Sequence, residues 1–258
     1  MKEYQTLTVE VDSGRVEVGL NRPLSLNAIS PDMCLELMSV MSDVQADAST
    51  RVIVLYGHGR MFSSGGDLKA EPVDDSEQVL ETIYKPALLS IVDSRVPVIA
   101  AVHGGAVGVA AALMMSCDLV VMADTGFVMT PFVKLGLIPD GGVSWHLQRY
   151  IGKQKAAEAI FGGEKIPAET CLGAGMVNRV VDEARVVSEA RTWADDIATL
   201  PPLAVAAAKA TVNYSATNNL PDSMAFEAKL QKELVASHDA QEGIAAFKEK
   251  RQPKFKGH

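Results

Sequence analysis

The sequence predicts an α/β fold built from a repeated supersecondary unit, closed by a helical C-terminal third. Three observations carry that prediction. First, a short apolar run rich in β-branched residues, a glycine-rich loop and a helical stretch recur in that order at roughly 40–50-residue intervals, without a repeated motif. Second, 258 residues that are 48 % hydrophobic and 22 % charged can bury one principal core with an appendage, which excludes a disordered or fibrous chain. Third, from Asp182 onward the texture changes to amphipathic, alanine-rich stretches. We therefore divide the chain into a core at residues 1–195 and a helical region at 196–258.

Each element follows from a local signal. Leu7, Val9 and Val11 alternate with polar residues, as do Val16, Val18 and Leu20, and Asp12-Ser13-Gly14-Arg15 lies between them. That pattern is a β-hairpin with one buried face. Ser30-Pro31 supplies an N-cap and a first-turn proline for a helix carrying Met33, Leu37, Val40 and Met41. The run Val52-Ile53-Val54-Leu55-Tyr56-Gly57 reads as a fully buried strand. A polar loop from His58 to Asp67, a helix from about Glu77 to Asp93 and a strand at 98–102 form the next unit. The third has a helix after Gly108, strands at 119–123 and 127–129, and a helix after Gly141. Four further helical stretches are separated by Pro201-Pro202, by the segment 218–221 and by His238-Asp239.

Composition also bounds the partners. A formal charge of −8 argues against a nucleic-acid surface over the whole molecule, although residues 247–258 are locally +4. A solvated helix end explains such a tail as well as an anion site does. The charge-free stretch from Val96 to Cys117 is long enough for a membrane span, but Pro97, His103 and Gly104-Gly105 split it into a strand, a turn and a helix. No membrane partner is expected. Cys34, Cys117 and Cys171 show no CxxC pairing, and the N-terminus has no apolar signal region, so a reducing, cytoplasmic setting is expected. No cluster of His, Cys and carboxylates points to a metal.

Glycine concentrates in two loops that follow buried strands, at residues 61–68 and 103–109. Neither reads GxxxxGK[ST] or GxGxxG, which removes the warrant for nucleotide hydrolysis or hydride transfer. Two readings of the loops remain open on spacing alone. They are sharp turns under a packed sheet, or backbone N–H groups converging on one oxygen, since Gly108-Val109 opens a helix whose first donors lack intrahelical partners.

Together the segments Asn21-Arg22-Pro23 with Asn27-Ala28, Phe62-Ser63-Ser64-Gly65-Gly66-Asp67-Leu68, Ala101-Val102-His103-Gly104 leading to Gly108, Cys117-Asp118-Leu119 and Leu137-Ile138-Pro139-Asp140-Gly141-Gly142 resemble the crotonase, or enoyl-CoA hydratase/isomerase, superfamily in order and type. The likeness runs essentially end to end. It implies a spiral of ββα units with a helical C-terminal trimerisation region, assembled as homotrimers or dimers of trimers. It also implies an acyl-CoA thioester substrate, with no cofactor beyond the coenzyme A that the substrate carries. Two backbone donors would hold the thioester enolate, and by position these are Gly66 and Val109. Val109 stands where glycine is usual, and its bulk would narrow the acyl pocket. Leu24, Leu26, Ala28, Ser64, Gly65, Asp67, Leu68 and Lys69 fall where family members line the CoA channel.

Within that family the acids select the reaction. The two positions that carry glutamates in hydratases read Ala112 and Phe132, and neither side chain can move a proton. Asp140 matches the single carboxylate of enoyl-CoA isomerases, beside Phe132 and Trp145, whose apolar surfaces would raise its pKa. A carboxylate at this point can equally cap the helix that follows. Isomerisation through Asp140 is thus the leading expectation, with hydration and non-catalytic acyl-CoA binding as alternatives. Asp67 and Asp118 read as residues that tie loops and turns, and His103 and His146 as core or pocket-wall histidines.

Overall fold

In the computed structural model, which describes residues 2–68 and 75–258, strands β1 (Leu7–Asp12) and β2 (Arg15–Leu20) pair antiparallel around Ser13 and Gly14. Both turn residues have positive φ, as a two-residue hairpin turn requires. The expected buried face holds at Leu7 but not at Val11, which is 58 % exposed. β1 is the edge of its sheet, and its last three residues are exposed. Every residue of β2 is buried, including Glu17, which accepts hydrogen bonds from Arg15 and Arg191. The polar side of β2 is thus covered, whereas Glu10 and Asp12 of β1 face water.

α1 (Pro31–Ala46) begins where the capping signal places it, with the Ser30 hydroxyl accepting from the Met33 amide. β3 (Val52–Gly57) is wholly buried. The helix expected at about 77–93 is present and runs without a break over 76–92, as α2 (Ser76–Val79), a π turn at Leu80–Tyr84 and α3 (Lys85–Val92), with helical dihedrals at each junction. The charge-free stretch divides into β4 (Val98–Val102), β5 (Gly105–Val107) and α4 (Val109–Met115), all seven residues of α4 being buried. No helix among the described residues is long and apolar enough to cross a membrane. β6 (Leu119–Ala123), β7 (Phe127–Met129), α5 (Val143–Gly162, broken at Gly152), β8 (Lys165–Pro167), α6 (Ala168–Gly173) and β9 (Arg179–Val181) follow.

Two sheets result. The larger has strand order β1-β2-β3-β4-β6-β9, parallel except at the hairpin, and the smaller is β5-β7-β8. Each turn of chain lays one strand in the first sheet and the next stretch in the second before a helix returns it, as β4-β5-α4 and β6-β7 show. Isolated parallel bridges Ile29↔Gly66 and Ser63↔Ala106 extend the second layer through the loops after β2 and β3. This is the crotonase-like spiral of ββα units.

The larger core lies between the first sheet and the helices α1, α3 and α4. The second packs Val54, Ile99 and Val121 against Val186, Ala190 and Ala194 of α7 (Val186–Ala198). The last three helices are α8 (Pro202–Ser215), α9 (Leu220–Val235) and α10 (His238–Glu249). Two side chains tie α8 to the core: Lys209 Nζ donates to the carbonyls of Ile91 (2.9 Å) and Val96 (3.1 Å) and to the Asp118 carboxylate (2.8 Å), and Asn213 Nδ2 donates to Val92 O (2.9 Å). The tail folds back, its Lys256 and Gly257 amides each 2.7 Å from the buried Asp239 carboxylate.

Breaking a buried pair by removing one partner leaves the other charge uncompensated. Lys209→Met should therefore cost about 3 kcal/mol in urea unfolding, and amide exchange in α8 should accelerate. An unchanged midpoint would mean that α8 docks without this contact.

Candidate active site

The two glycine loops meet because successive turns of the spiral are in parallel register. At the Ser63↔Ala106 bridge the Ser63 amide donates to Gly105 O (3.1 Å), and the Val107 amide donates to Ser63 O (3.2 Å). Three residues beyond each bridged position stand Gly66 and Val109. Gly65 and Gly108, just before them, have φ of 94° and 58°. A Cβ on Gly65 would lie 2.5 Å from Val107 O, so only glycine lets the loops approach.

Peptide planarity then aims the donors. Gly65 O accepts from the Ile29 amide (2.7 Å), and the Asp67 amide donates to Ile29 O (3.0 Å). In a trans peptide the Gly66 N–H points opposite to Gly65 C=O, hence away from Ile29. Gly108 O accepts from the Ala111 amide (3.0 Å), which fixes the Val109 peptide in the same way. Val109 is the first residue of α4, and its N–H has no intrahelical acceptor. Two N–H groups on adjoining, rigid loops are an arrangement that can hold an oxyanion.

Asp140 lies over this point. A Cβ on the next residue, Gly141, would be 2.9 Å from Ala112 Cβ, 3.0 Å from Leu88 Cδ1 and 3.1 Å from Val109 Cγ2, so the Asp140 turn rests directly on α4. The helix after it starts at Val143 with Gly142 as N-cap, and no side chain caps it. The capping role open to Asp140 in the sequence is therefore not the one it plays. Its Oδ1 is buried and has no hydrogen-bond partner, and burial holds its pKa above the usual carboxylate value.

The other sequence-predicted residues fall in distinct places. Phe132 is buried with its ring against Gly108, and Ala112 is fully buried beneath Gly141. Val109 is itself buried and lines a small apolar cavity of about 10 Å³ with Leu88 and Tyr84. Trp145 is partly exposed and stacks on the Arg149 guanidinium at 3.7 Å, toward the surface. Ser64, Gly65 and Asp67 pair with the loop at 22–29: the Ser64 amide donates to Leu26 O (2.9 Å), and Arg22 meets the Asp67 carboxylate at 2.7 Å. Ala28 is buried, whereas Leu24 and Leu68 are exposed. Lys69 lies outside the described residues. His103 bonds Gly59 O (2.9 Å), and burial pushes the His146 pKa down to about 4.

Two positions carry more of the site than the sequence reading assigns them. Asn27 is fully buried and ties its loop to His58 O, Met61 O and the Arg22 amide. Tyr84, at the end of the π turn, donates to Ile29 O (3.0 Å). A buried asparagine inside a polar loop was the available signal for the first, and no local pattern marks the second.

The raised pKa of Asp140 fixes the sign of a stability effect. Protonation favours the folded state, so the stability this group contributes is full below its unfolded value of 3.8 and lost as pH rises through the folded value. Asp140→Asn should stabilise the protein near neutral pH by about 1 kcal/mol, and the gain should vanish as pH falls below 4. Urea unfolding across that range tests it; a gain independent of pH would contradict it.

Comparison with known proteins agrees with this fold. The sequence profile of the enoyl-CoA hydratase/isomerase family matches residues 10–258. A Rhodobacter capsulatus protein named "Probable enoyl-CoA hydratase" is 37 % identical over 98 % of this chain and 99 % of its own. The 1,2-epoxyphenylacetyl-CoA isomerase of Escherichia coli is 34 % identical over 96 % of this chain and 97 % of its own. The crystal structure of an enoyl-CoA hydratase from Bacillus anthracis superposes with a TM-score of 0.93 at 30 % identity, over 98 % of this chain and all of that one. With a family profile spanning nearly its whole length and the same fold throughout, this chain belongs to the enoyl-CoA hydratase/isomerase family of acyl-CoA enzymes.

Proposed function

We propose that the protein moves the double bond of an enoyl-CoA, with Asp140 as the single proton carrier. The observation that carries this reading is the buried, unpartnered Asp140 Oδ1 beside Val109, with Ala112 and Phe132 where a second acid would stand. The thioester oxygen binds between the Gly66 and Val109 N–H groups. The Asp140 carboxylate takes a proton from C2 of a 3-enoyl thioester; the C–H electron pair forms C1=C2 and the carbonyl π pair moves onto the oxygen, giving a dienolate conjugated with C3=C4. The same acid, now protonated, delivers its proton to C4, leaving a 2-enoyl thioester and the carboxylate restored. A pKa raised by burial brings this base closer to working pH. Coenzyme A enters only as part of the substrate, along the loops at 24–28 and 64–68.

Hydration is the second reading, favoured by the names of several relatives. It needs water activated on one carbon and a proton handled on the next, and Ala112 and Phe132 stand where hydratases carry their two glutamates. Assays with 3-enoyl-CoA and 2-enoyl-CoA separate the two. Isomerisation should dominate, and Asp140→Asn should lower kcat by roughly 10²–10⁴ with substrate binding retained. Full activity in that variant, or hydration faster than isomerisation, would overturn the reading.

The assembly belongs to the same proposal. Val212, Leu220, Met224, Ile244 and Phe247 of α8, α9 and α10 are more than half exposed, which suits a homotrimer or dimer of trimers formed through the helical region. Sedimentation of the wild type should give the trimer or its dimer, and Val212→Glu should dissociate it. A monomer in the wild type would contradict the proposal.

A further inference from the structure

The π turn and the α3 that continues from it carry two side chains one turn apart beside the site, Tyr84 and Leu88. Leu88 meets the Asp140 turn at Gly141. Tyr84 lines the small apolar cavity together with Val109 and Ile29, and its hydroxyl donates to Ile29 O at 3.0 Å. That carbonyl also accepts from the Asp67 amide at 3.0 Å, so both of its lone pairs are used. The Ile29 amide in turn fixes Gly65 O, and through the planar peptide it aims the Gly66 N–H. Arg22 Nη1 donates to Ala28 O (2.6 Å) and Ser63 Oγ accepts from the Gly65 amide (3.2 Å) on the same backbone, and among the described residues the phenol is the side chain that bonds Ile29 O itself. It comes from a different helix, at the end of a π turn, a local irregularity that often accompanies functional sites.

We propose that Tyr84 is a positioning residue of the oxyanion site, holding Ile29 so that the Gly66 amide points at the thioester oxygen. It acts without touching substrate. This rests on the reading of Gly66 and Val109 as the oxygen's donors, and the test keeps the two apart. A saturated acyl-CoA labelled with ¹³C at C1 cannot react, so the infrared stretch of its bound carbonyl reports the donors alone.

The wild type should shift that band to lower frequency, and so should Asp140→Asn. Tyr84→Phe should lose a large part of the shift and about tenfold in kcat, with KM changed less than about twofold; this is milder than the 10²–10³ that loss of a donor itself costs. Ile29 O keeps the Asp67 amide in that variant, so the fold should persist with its unfolding midpoint close to wild type. Placing 3-fluorotyrosine at position 84 retains the hydroxyl and should retain both shift and kcat. A full carbonyl shift in Tyr84→Phe, or equal losses in the fluorotyrosine protein, would overturn the proposal. The absence of any shift in the wild type would instead overturn the donor assignment on which it rests.

Discussion

Parallel pairing between the loops that follow β2, β3 and β4 is the constraint on which the site depends. The loops after β2 and β3 are too short to be called strands, yet Ile29 pairs with Gly66, and Ser63 with Ala106 of β5, as strands do. Such pairing consumes alternate backbone groups and leaves the N–H of the intervening residue directed elsewhere. At Gly66 that leftover donor points away from Ile29, and at Val109 the start of a helix leaves a donor free of intrahelical partners by a different route. In the proposed reading the site follows from how the sheet layers stack, and a side chain at position 109 is compatible with it because only the amide is used.

Close approach is the second requirement, and it explains the small residues. α4 is buried on every side, and its Ala110, Ala111 and Ala112 let neighbouring backbone settle against it. Ala112 and Gly141 are in contact through their smallest possible faces. A carboxylate at 112 would have to displace the Asp140 turn and be desolvated as well, which costs far more than one methyl group of packing. The absence of that acid and the position of Asp140 are therefore one arrangement seen from two sides.

Much of this was legible in the sequence, and the exceptions have common causes. Strands of β-branched residues, the Ser30-Pro31 cap and the split of the charge-free stretch follow from local rules, and the structure has them where expected. Val11 failed because alternation cannot say where a sheet ends. The helix at 77–93 was legible, but nothing in its apolar spacing marked the π turn inside it. Asp140 was ambiguous because a cap and a general base share the same residue type and the same place before a helix. Tyr84 carried no signal, since its partner is a backbone carbonyl 55 positions away.

The distinction between a structural acid and a chemical one lies in what the protein gives it. Asp239 receives two backbone amides, Asp118 an amide and Lys209, Asp67 the Arg22 guanidinium, and Glu17 two arginines. Each of these carboxylates receives hydrogen-bonding or cationic partners that folding brings to it. Asp140 is half-buried, yet its buried Oδ1 is offered nothing, and burial disfavours its charge. Packing alone would place an apolar residue there. A carboxylate kept at that cost is accounted for by a partner that arrives from outside, and the proton of a bound thioester beside Gly66 and Val109 is the partner this position suits.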